Sequence, residues 1–73
     1  MKLNAKHIGD NVKYIRKIAN KSQEGFAEQI ETSTRKVSNI ERGVVIPSLQ
    51  TVVNISKHFE YSINFIIGNN TKL

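Results

Sequence analysis

The sequence predicts an all-α fold, a compact bundle of five short helices. Apolar residues recur three or four positions apart within the predicted segments, the spacing of one helix face. No segment has the pattern of a strand. A serine precedes each of the last four segments, where its hydroxyl can accept a hydrogen bond from a free backbone N–H. These serines are Ser22, Ser33, Ser48 and Ser62.

The first two predicted helices are amphipathic. Helix 1 covers about residues 5–20, and its apolar stripe is Ile8, Val12, Ile15 and Ala19. Helix 2 follows Ser22 and extends to Ile30. Its Glu24 lies near the positive N-terminal end, where a carboxylate is favoured. Gly25 weakens this helix by up to about 1 kcal/mol relative to alanine.

Helix 3 differs from the others because it is almost entirely polar. It extends from Thr34 to Arg42, and its only strong apolar positions are Val37 and Ile40. Gly43 supplies the left-handed residue that ends it. Such a helix buries little and presents many hydrogen-bonding side chains to its surroundings.

The last two helices have clear start signals. Pro47 and Ser48 introduce helix 4, whose broad apolar face is Leu49, Val52, Val53, Ile55, Ser56 and Phe59. Helix 5 covers residues 63–67 and is closed by Gly68, Asn69 and Asn70. The chain is therefore expected to form one domain over residues 1–73. It has a short N-terminal arm (1–5) and a C-terminal tail (69–73).

Composition excludes several classes of function. The chain has no cysteine, which excludes a disulfide scaffold, a thiolate zinc site and a cysteine nucleophile. His7 and His58 are 51 positions apart, and no catalytic set of side chains has useful spacing. We therefore expect no enzyme activity, metal or cofactor. No apolar run approaches the ~20 residues that span a bilayer, and no secretory signal is visible, so a cytoplasmic protein is expected.

The charge favours a polyanion as partner. Eleven Lys and Arg against six Asp and Glu give a net charge of +5. A solvated basic surface explains the same charge equally well. Membrane binding through helix 1 is disfavoured, because that helix lacks Trp and Phe and needs its apolar stripe for the core.

Helices 2 and 3 are separated by a turn of about three residues. Two helices joined by so short a turn form a helix-turn-helix when the second is polar and has few apolar residues to hold it in the core. The second helix of this motif enters the DNA major groove. The predicted motif covers residues 22–43, with the sequence SQEGFAEQIETSTRKVSNIERG.

This stretch resembles the helix-turn-helix of the lambda-repressor-like (Cro and XRE) family. The family has the characteristic residues SQ, LA, S and IE-x-G at fixed spacing, and this stretch matches them at nearly every position. The resemblance continues through residues 47–52, Ile55, Phe59 and residues 61–67, and covers about residues 6–68 in all.

The resemblance implies roles for individual residues. Positions that face base edges in the family are occupied by Thr34, Arg35 and Asn39. Positions that contact the DNA backbone are occupied by Gln23, Lys36, Ser38 and Arg42. Taken singly, each of these residues is more simply explained as a solvated polar side chain, and it is their combination at matching positions that indicates DNA binding.

The resemblance also implies an ion pair between Arg16 and Glu41. In the family this pair ties helix 1 to the end of helix 3, which predicts a structural role for Arg16. The alternative is a direct contact between Arg16 and a DNA phosphate.

Two positions depart from the family pattern. Glu31 stands where a left-handed glycine is usual, and a side chain there costs roughly 1 kcal/mol. An apolar run, Val44 to Ile46, replaces polar residues of the loop that follows helix 3. We expect a two-fold dimer interface formed by Val44, Val45, Phe65 and Ile66. Alternatively, this run packs under the loop as a small apolar cluster beside the core.

The sequence thus predicts a sequence-specific double-stranded DNA-binding protein, a transcriptional regulator and most simply a repressor. It should bind an inverted repeat as a homodimer, with no small-molecule ligand. Within the same class, a restriction–modification controller or an operon-repressing antitoxin fits equally well. From a different class, a protein-interaction module that binds an acidic partner is the alternative.

Overall fold

The computed structural model describes residues 2–68, so the predicted tail (69–73) and Met1 of the arm lie outside the described residues. Residues 2–68 form five α-helices and no strand, which confirms the predicted fold class. The helices are α1 (Ala5–Ile18), α2 (Gln23–Gln29), α3 (Thr34–Glu41), α4 (Leu49–Phe59) and α5 (Ile63–Ile67). The α-carbons have a radius of gyration of 11.2 Å.

Every helix begins at a side-chain cap. The four predicted serines each accept a hydrogen bond from the backbone N–H three residues later, at 3.0–3.2 Å, which confirms their capping role. Asn4, whose role was not predicted, caps α1 by accepting from the backbone N–H of His7 at 3.0 Å. Short polar side chains therefore fix all five starting points.

The turn of the helix-turn-helix is closed by a left-handed residue. Glu31 has φ 62°, in the conformation expected at this position. The N–H of Thr32 donates to the carbonyl of Ala27 at 2.9 Å, and that of Glu31 to Glu28 at 3.2 Å. This paired bonding is a Schellman motif, which satisfies the last carbonyls of α2 and turns the chain towards α3.

The ends of α1 and α3 differ slightly from the predicted limits. Helix α1 ends at Ile18 instead of residue 20, because Asn20 has φ 59° and reverses the chain. Helix α3 ends at Glu41, with Arg42 as its C-cap and Gly43 at φ 75°. The left-handed glycine predicted after helix 3 is confirmed.

One hydrophobic core joins all five helices. Its buried residues are Ile8, Val12, Ile15, Phe26, Ala27, Ile30, Val37, Ile40, Val52, Ile55 and Ile66. Leu49 was predicted to face this core, but its side chain is 74% exposed. Leu49 is the first residue of α4, and the core contacts of that helix begin one turn later, at Val52.

Helices α1 and α3 touch backbone to backbone at Gly9. A Cβ atom added there would clash with the carbonyl oxygen of Ile40 and would lie 3.1 Å from that of Glu41. Gly9 is buried in the middle of α1, where glycine costs about 1 kcal/mol in helix stability. The close approach explains this glycine, because any side chain would push α3 away from α1.

We predict that Gly9→Ala destabilises the domain by about 1–3 kcal/mol or more, because the added methyl meets a backbone that cannot move aside. Gly25→Ala is the matched control. Its Cβ would meet only the Ser22 hydroxyl at 3.3 Å, and alanine favours the helix. Thermal unfolding followed by circular dichroism should show a lower midpoint for Gly9→Ala and an unchanged or higher one for Gly25→Ala. Equal midpoints would mean that α1 and α3 are not in direct contact.

Candidate nucleic-acid interface

Helix α3 has a buried inner stripe and a polar outer stripe. The inner stripe is Val37, Ile40 and Glu41. On the opposite side, at i, i+4 and i+7, helical spacing aligns Arg35, Asn39 and Arg42, which we call the reading stripe. Two of the predicted base-facing residues thus share one line of the helix surface.

The remaining predicted DNA-contacting residues of α3 flank the reading stripe. By helical spacing, Thr34 and Ser38 lie on one flank and Lys36 on the other. Thr34, Arg35 and Lys36 occupy the first turn and are exposed, whereas Ser38 and Asn39 are half-buried. Helix α3 therefore offers its first turn and its outer stripe to a partner.

A groove of about 350 Å³ lies beside the reading stripe. Lys36, Asn39 and Ile40 form its α3 side. Its other side is the loop after α3 and the start of α4: Val45, Ile46, Pro47, Ser48 and Thr51. We call it the reading groove, because it extends from the reading stripe of α3 to the N-terminus of α4.

The charge at α3 is positive on its outer side. Residues 32–43 contain Arg35, Lys36 and Arg42 and a single acid, Glu41. Glu41 is turned inward and paired with Arg16. The outer surface of α3 therefore carries three positive charges that no acidic side chain among the described residues pairs with, which favours a polyanion as partner.

The end of α3 is held by a nearly buried ion pair. Arg16 Nε donates to Glu41 Oε2 at 2.6 Å, and a second guanidinium N–H donates to Oε1 at 3.0 Å. The two side chains are only 12% and 4% exposed. This two-point geometry orients the carboxylate as well as pairing its charge.

The same guanidinium also supports the turn between α1 and α2. Its third bond goes to the backbone carbonyl of Lys21, at 2.9 Å. The hydrogen bond to Glu41 raises the pKa of Arg16 above its ordinary value, against the opposing effect of burial. The charge on Arg16 contributes stability below its unfolded-state pKa, so this contribution is constant across the neutral pH range.

Gln23 joins the same carboxylate from α2. Its Nε2 donates to Glu41 Oε1 at 3.0 Å. A carboxylate only accepts hydrogen bonds, so Gln23 must present its NH₂ group and not its carbonyl oxygen. The first residue of α2 and the last residue of α3 are thereby tied together.

A second groove, of about 230 Å³, is lined by apolar residues alone within residues 2–68, and we call it the apolar groove. Its exposed residues are Leu3, Ile46, Leu49 and Ile63, and its deeper ones are Ile8, Pro47, Val52 and Ile67. Ile46 and Pro47 also line the reading groove. The apolar surface and the polar surface of α3 are therefore contiguous.

The structure excludes one of the four residues of the predicted dimer interface. Ile66 is fully buried in the core and offers no surface to another chain, so its assignment is wrong. Phe65 is half-buried and packs against Tyr61 and Tyr14, with ring centroids at 5.3 and 6.2 Å. Helix α5 turns these residues inward and leaves Ile63 outward. Val44 and Val45 are exposed, at 58% and 39%, but neither lines the apolar groove.

Two local features of the interface were not predicted. Gly9 sets the distance between α1 and α3, and the signal available in the sequence was a glycine in the middle of an amphipathic helix. The exposed apolar residues Leu49 and Ile63 were assigned to helices without regard to the side they face.

Within residues 2–68, no group of three or more acidic or histidine side chains is placed to hold a metal. None of the helices in that range is long and apolar enough to span a bilayer.

A polar helix, clamped at its end and carrying outward positive charge after a tight turn, defines a helix-turn-helix DNA-binding domain. The sequence profile of the helix-turn-helix family matches residues 12–66 of the 73, and the chain belongs to this family of DNA-binding transcription regulators. The resemblance to lambda-repressor-like proteins is confirmed.

Solved structures share the fold. The P22 c2 repressor, in complex with synthetic operator 9T, has a TM-score of 0.80 at 18% identity, over 96% of this chain and 100% of that one. The restriction-modification controller C.AhdI from Aeromonas hydrophila has 0.78 at 19%, over 86% and 91%. An HTH_3 family transcriptional regulator from Vibrio cholerae has 0.78 at 25%, over 92% and 38%. No curated protein sequence matches the chain.

The ion pair predicts a recovery of stability on charge exchange. Arg16→Glu alone should cost about 3–5 kcal/mol, because it leaves Glu41 buried and unpaired. The double variant with Glu41→Arg should regain part of this loss, though the Lys21 carbonyl loses its donor. Thermal unfolding of the wild type, both single variants and the double variant completes a double-mutant cycle, which measures the interaction energy of the pair. Strictly additive losses would show that the two side chains do not stabilise each other.

Proposed function

We propose that the chain is a repressor that binds an inverted repeat in double-stranded DNA as a homodimer, with α3 in the major groove. The observation that carries this proposal is the division of α3 into two sides. Its inner stripe is fixed by the core and by Arg16, while Arg35, Asn39 and Arg42 remain outward. A helix held in this way can enter a groove without losing its own packing.

The reading stripe has the chemistry for base edges. Arginine bridges O6 and N7 of guanine, and asparagine bridges N6 and N7 of adenine, which suits Arg35 and Asn39. Thr34, in the first turn, has a methyl group that suits thymine. We assign these three residues to base contacts. In a dimer, each subunit would make these contacts within its own half-site.

Backbone contacts are assigned to residues around the stripe. Lys36 and Ser38 flank it, and contacts of this kind set register without reading sequence. The Gln23 amide nitrogen carries two hydrogens, so it can donate one to Glu41 and the other to a phosphate. The Arg16 guanidinium already donates to Glu41 and to the Lys21 carbonyl. These bonds support the structural role over a phosphate contact.

The apolar groove is the proposed dimer interface, with a second copy of this chain as its occupant. This replaces the interface predicted from sequence. Leu49 and Ile63 are exposed apolar side chains on α4 and α5, and none of the described residues that line the groove around them is charged. Its continuity with the reading groove through Ile46 and Pro47 would keep both α3 helices next to the interface. A two-fold axis there would favour half-sites one helical turn, about 34 Å, or a multiple apart.

The first test is selection from a random duplex pool near 0.15 M salt, followed by sequencing of the bound fraction. An enriched inverted repeat is expected. Arg35→Ala should lose about 1–3 kcal/mol and relax the preference at one position of each half-site. Lys36→Ala, the adjacent cation, should weaken specific and random duplexes by the same factor.

Two outcomes would contradict the assignment. A preferred sequence unchanged by Arg35→Ala would mean that α3 does not read DNA as described. A folded protein with no preferred duplex but tight binding to an acidic protein would identify an interaction module instead.

The proposed interface predicts that a charged residue placed in the apolar groove abolishes dimerisation, whereas one placed outside the groove does not. Leu49→Lys should give a monomer, because it places a charge in an apolar interface. Ile18→Lys on α1 is the control, since Ile18 is 62% exposed and does not line the apolar groove. Both are surface changes, so the stability of the folded monomer should change by no more than about 0.5 kcal/mol. Sedimentation equilibrium should find a dimer for the wild type and Ile18→Lys only. Equal masses for all three proteins would place the interface elsewhere or exclude it.

A further inference from the structure

Arg42 is bonded to a residue of the reading stripe. One terminal nitrogen of its guanidinium donates to Asn39 Oδ1 at 2.5 Å. Arg42 is the C-cap of α3, and its own backbone N–H donates to the carbonyl of Ser38 at 3.0 Å. The side chain thus extends from a fixed backbone position, and it reaches back along the stripe to Asn39.

This contact selects one orientation of the Asn39 amide. An asparagine amide has an accepting oxygen and a donating NH₂ group, and its two flips exchange them. The guanidinium of Arg42 has only donors, so the opposite flip would place two donors against each other. A charged donor also makes a stronger hydrogen bond than a neutral one. Arg42 therefore holds the oxygen of Asn39 on its own side.

The selected orientation leaves both groups available for adenine. Pairing with adenine needs the amide oxygen to accept from N6 and the amide nitrogen to donate to N7. The oxygen has two lone pairs, and Arg42 occupies one of them. The second lone pair and the whole NH₂ group remain free. An amide oriented in advance loses less conformational freedom on binding than a free one.

We propose that Arg42 is a positioning residue that fixes the Asn39 amide and so sets the preference for adenine at the base pair that Asn39 reads. This inference rests on the proposed function, because it assumes that α3 reads the major groove. It gives Arg42 a role distinct from the phosphate contact that the family resemblance implies.

The two roles have different consequences for affinity. A phosphate contact strengthens binding to every duplex by the same factor, because every duplex has the same backbone. A positioning contact changes the ratio between duplexes that differ at one base pair. The base preference at that pair is therefore the measurement that separates them.

Two substitutions test whether a side chain that only donates is needed at position 42. Arg42→Gln removes the charge and offers an acceptor as well as a donor, so its amide can pair with either flip of Asn39. Arg42→Met removes the charge and every hydrogen-bonding group and keeps an unbranched side chain. Arg42 is exposed, so neither change disturbs the core, and thermal unfolding checks this. Lys36→Met is the matched control for loss of a cation on the same helix.

The experiment measures dissociation constants for the selected operator and for three variants of it, each with a different base pair at one position. That base pair is the position whose preference is lost in Asn39→Ala. The wild type should prefer adenine there by about ten-fold or more. Arg42→Met and Arg42→Gln should each reduce the preference to less than about three-fold, whereas Lys36→Met should keep most of it. All three variants should bind random DNA more weakly, because each loses one positive charge.

The outcomes distinguish this inference from the proposed function. Uniform weakening of all four duplexes by Arg42→Met, with the preference intact, would make Arg42 a phosphate contact only and overturn the inference. A full preference in Arg42→Gln would also overturn it, because a side chain that pairs with either flip of Asn39 would then be sufficient. A wild type without any selected operator would overturn the proposed function itself.

Discussion

The carboxylate of Glu41 accepts hydrogen bonds from two other helices, and the placement of α3 depends on it. Arg16 of α1 and Gln23 of α2 both donate to this group, which is 4% exposed. An eight-residue helix is unstable by itself in water. Only Val37 and Ile40 anchor α3 in the core, and this single acceptor adds the constraint that fixes how the helix is turned.

This constraint works together with the backbone contact at Gly9. The contact sets how close α3 comes to α1, while the Glu41 carboxylate fixes its end and its rotation. Once distance and rotation are fixed, the outward side chains of α3 have one arrangement relative to the rest of the domain. Arg42 then acts on Asn39 at short range, within a surface that the core has already oriented.

Local signals in the sequence were sufficient for the helices. Ser22 and Ser33 marked the starts of α2 and α3 because capping depends only on residues within one turn. Contacts between distant segments follow different rules. Asn11 donates to the carbonyls of Phe65 and Ile66, more than fifty residues away, and no local pattern indicates this bond.

The face of each helix that meets the core was harder to predict than the helix itself. Apolar periodicity identifies a helix but does not say which neighbour covers each residue. Helix α5 has four apolar residues among five, so apolar side chains occupy most of its circumference and no sequence pattern separates Ile66 from Ile63. Leu49 fits the stripe of α4 but precedes the first turn that meets the core. The Arg16–Glu41 pair was anticipated from a family resemblance alone, since the two residues are 25 positions apart.

The separation of the two stripes on α3 has a consequence for how such proteins diverge. Residues that hold the helix and residues that face outward do not overlap, so an outward residue can be exchanged at little cost in stability. A lineage of these regulators can therefore acquire new target sequences by single substitutions without passing through unfolded intermediates. Folds that superpose with TM-scores of 0.78–0.80 at 18–25% identity are the expected long-term result.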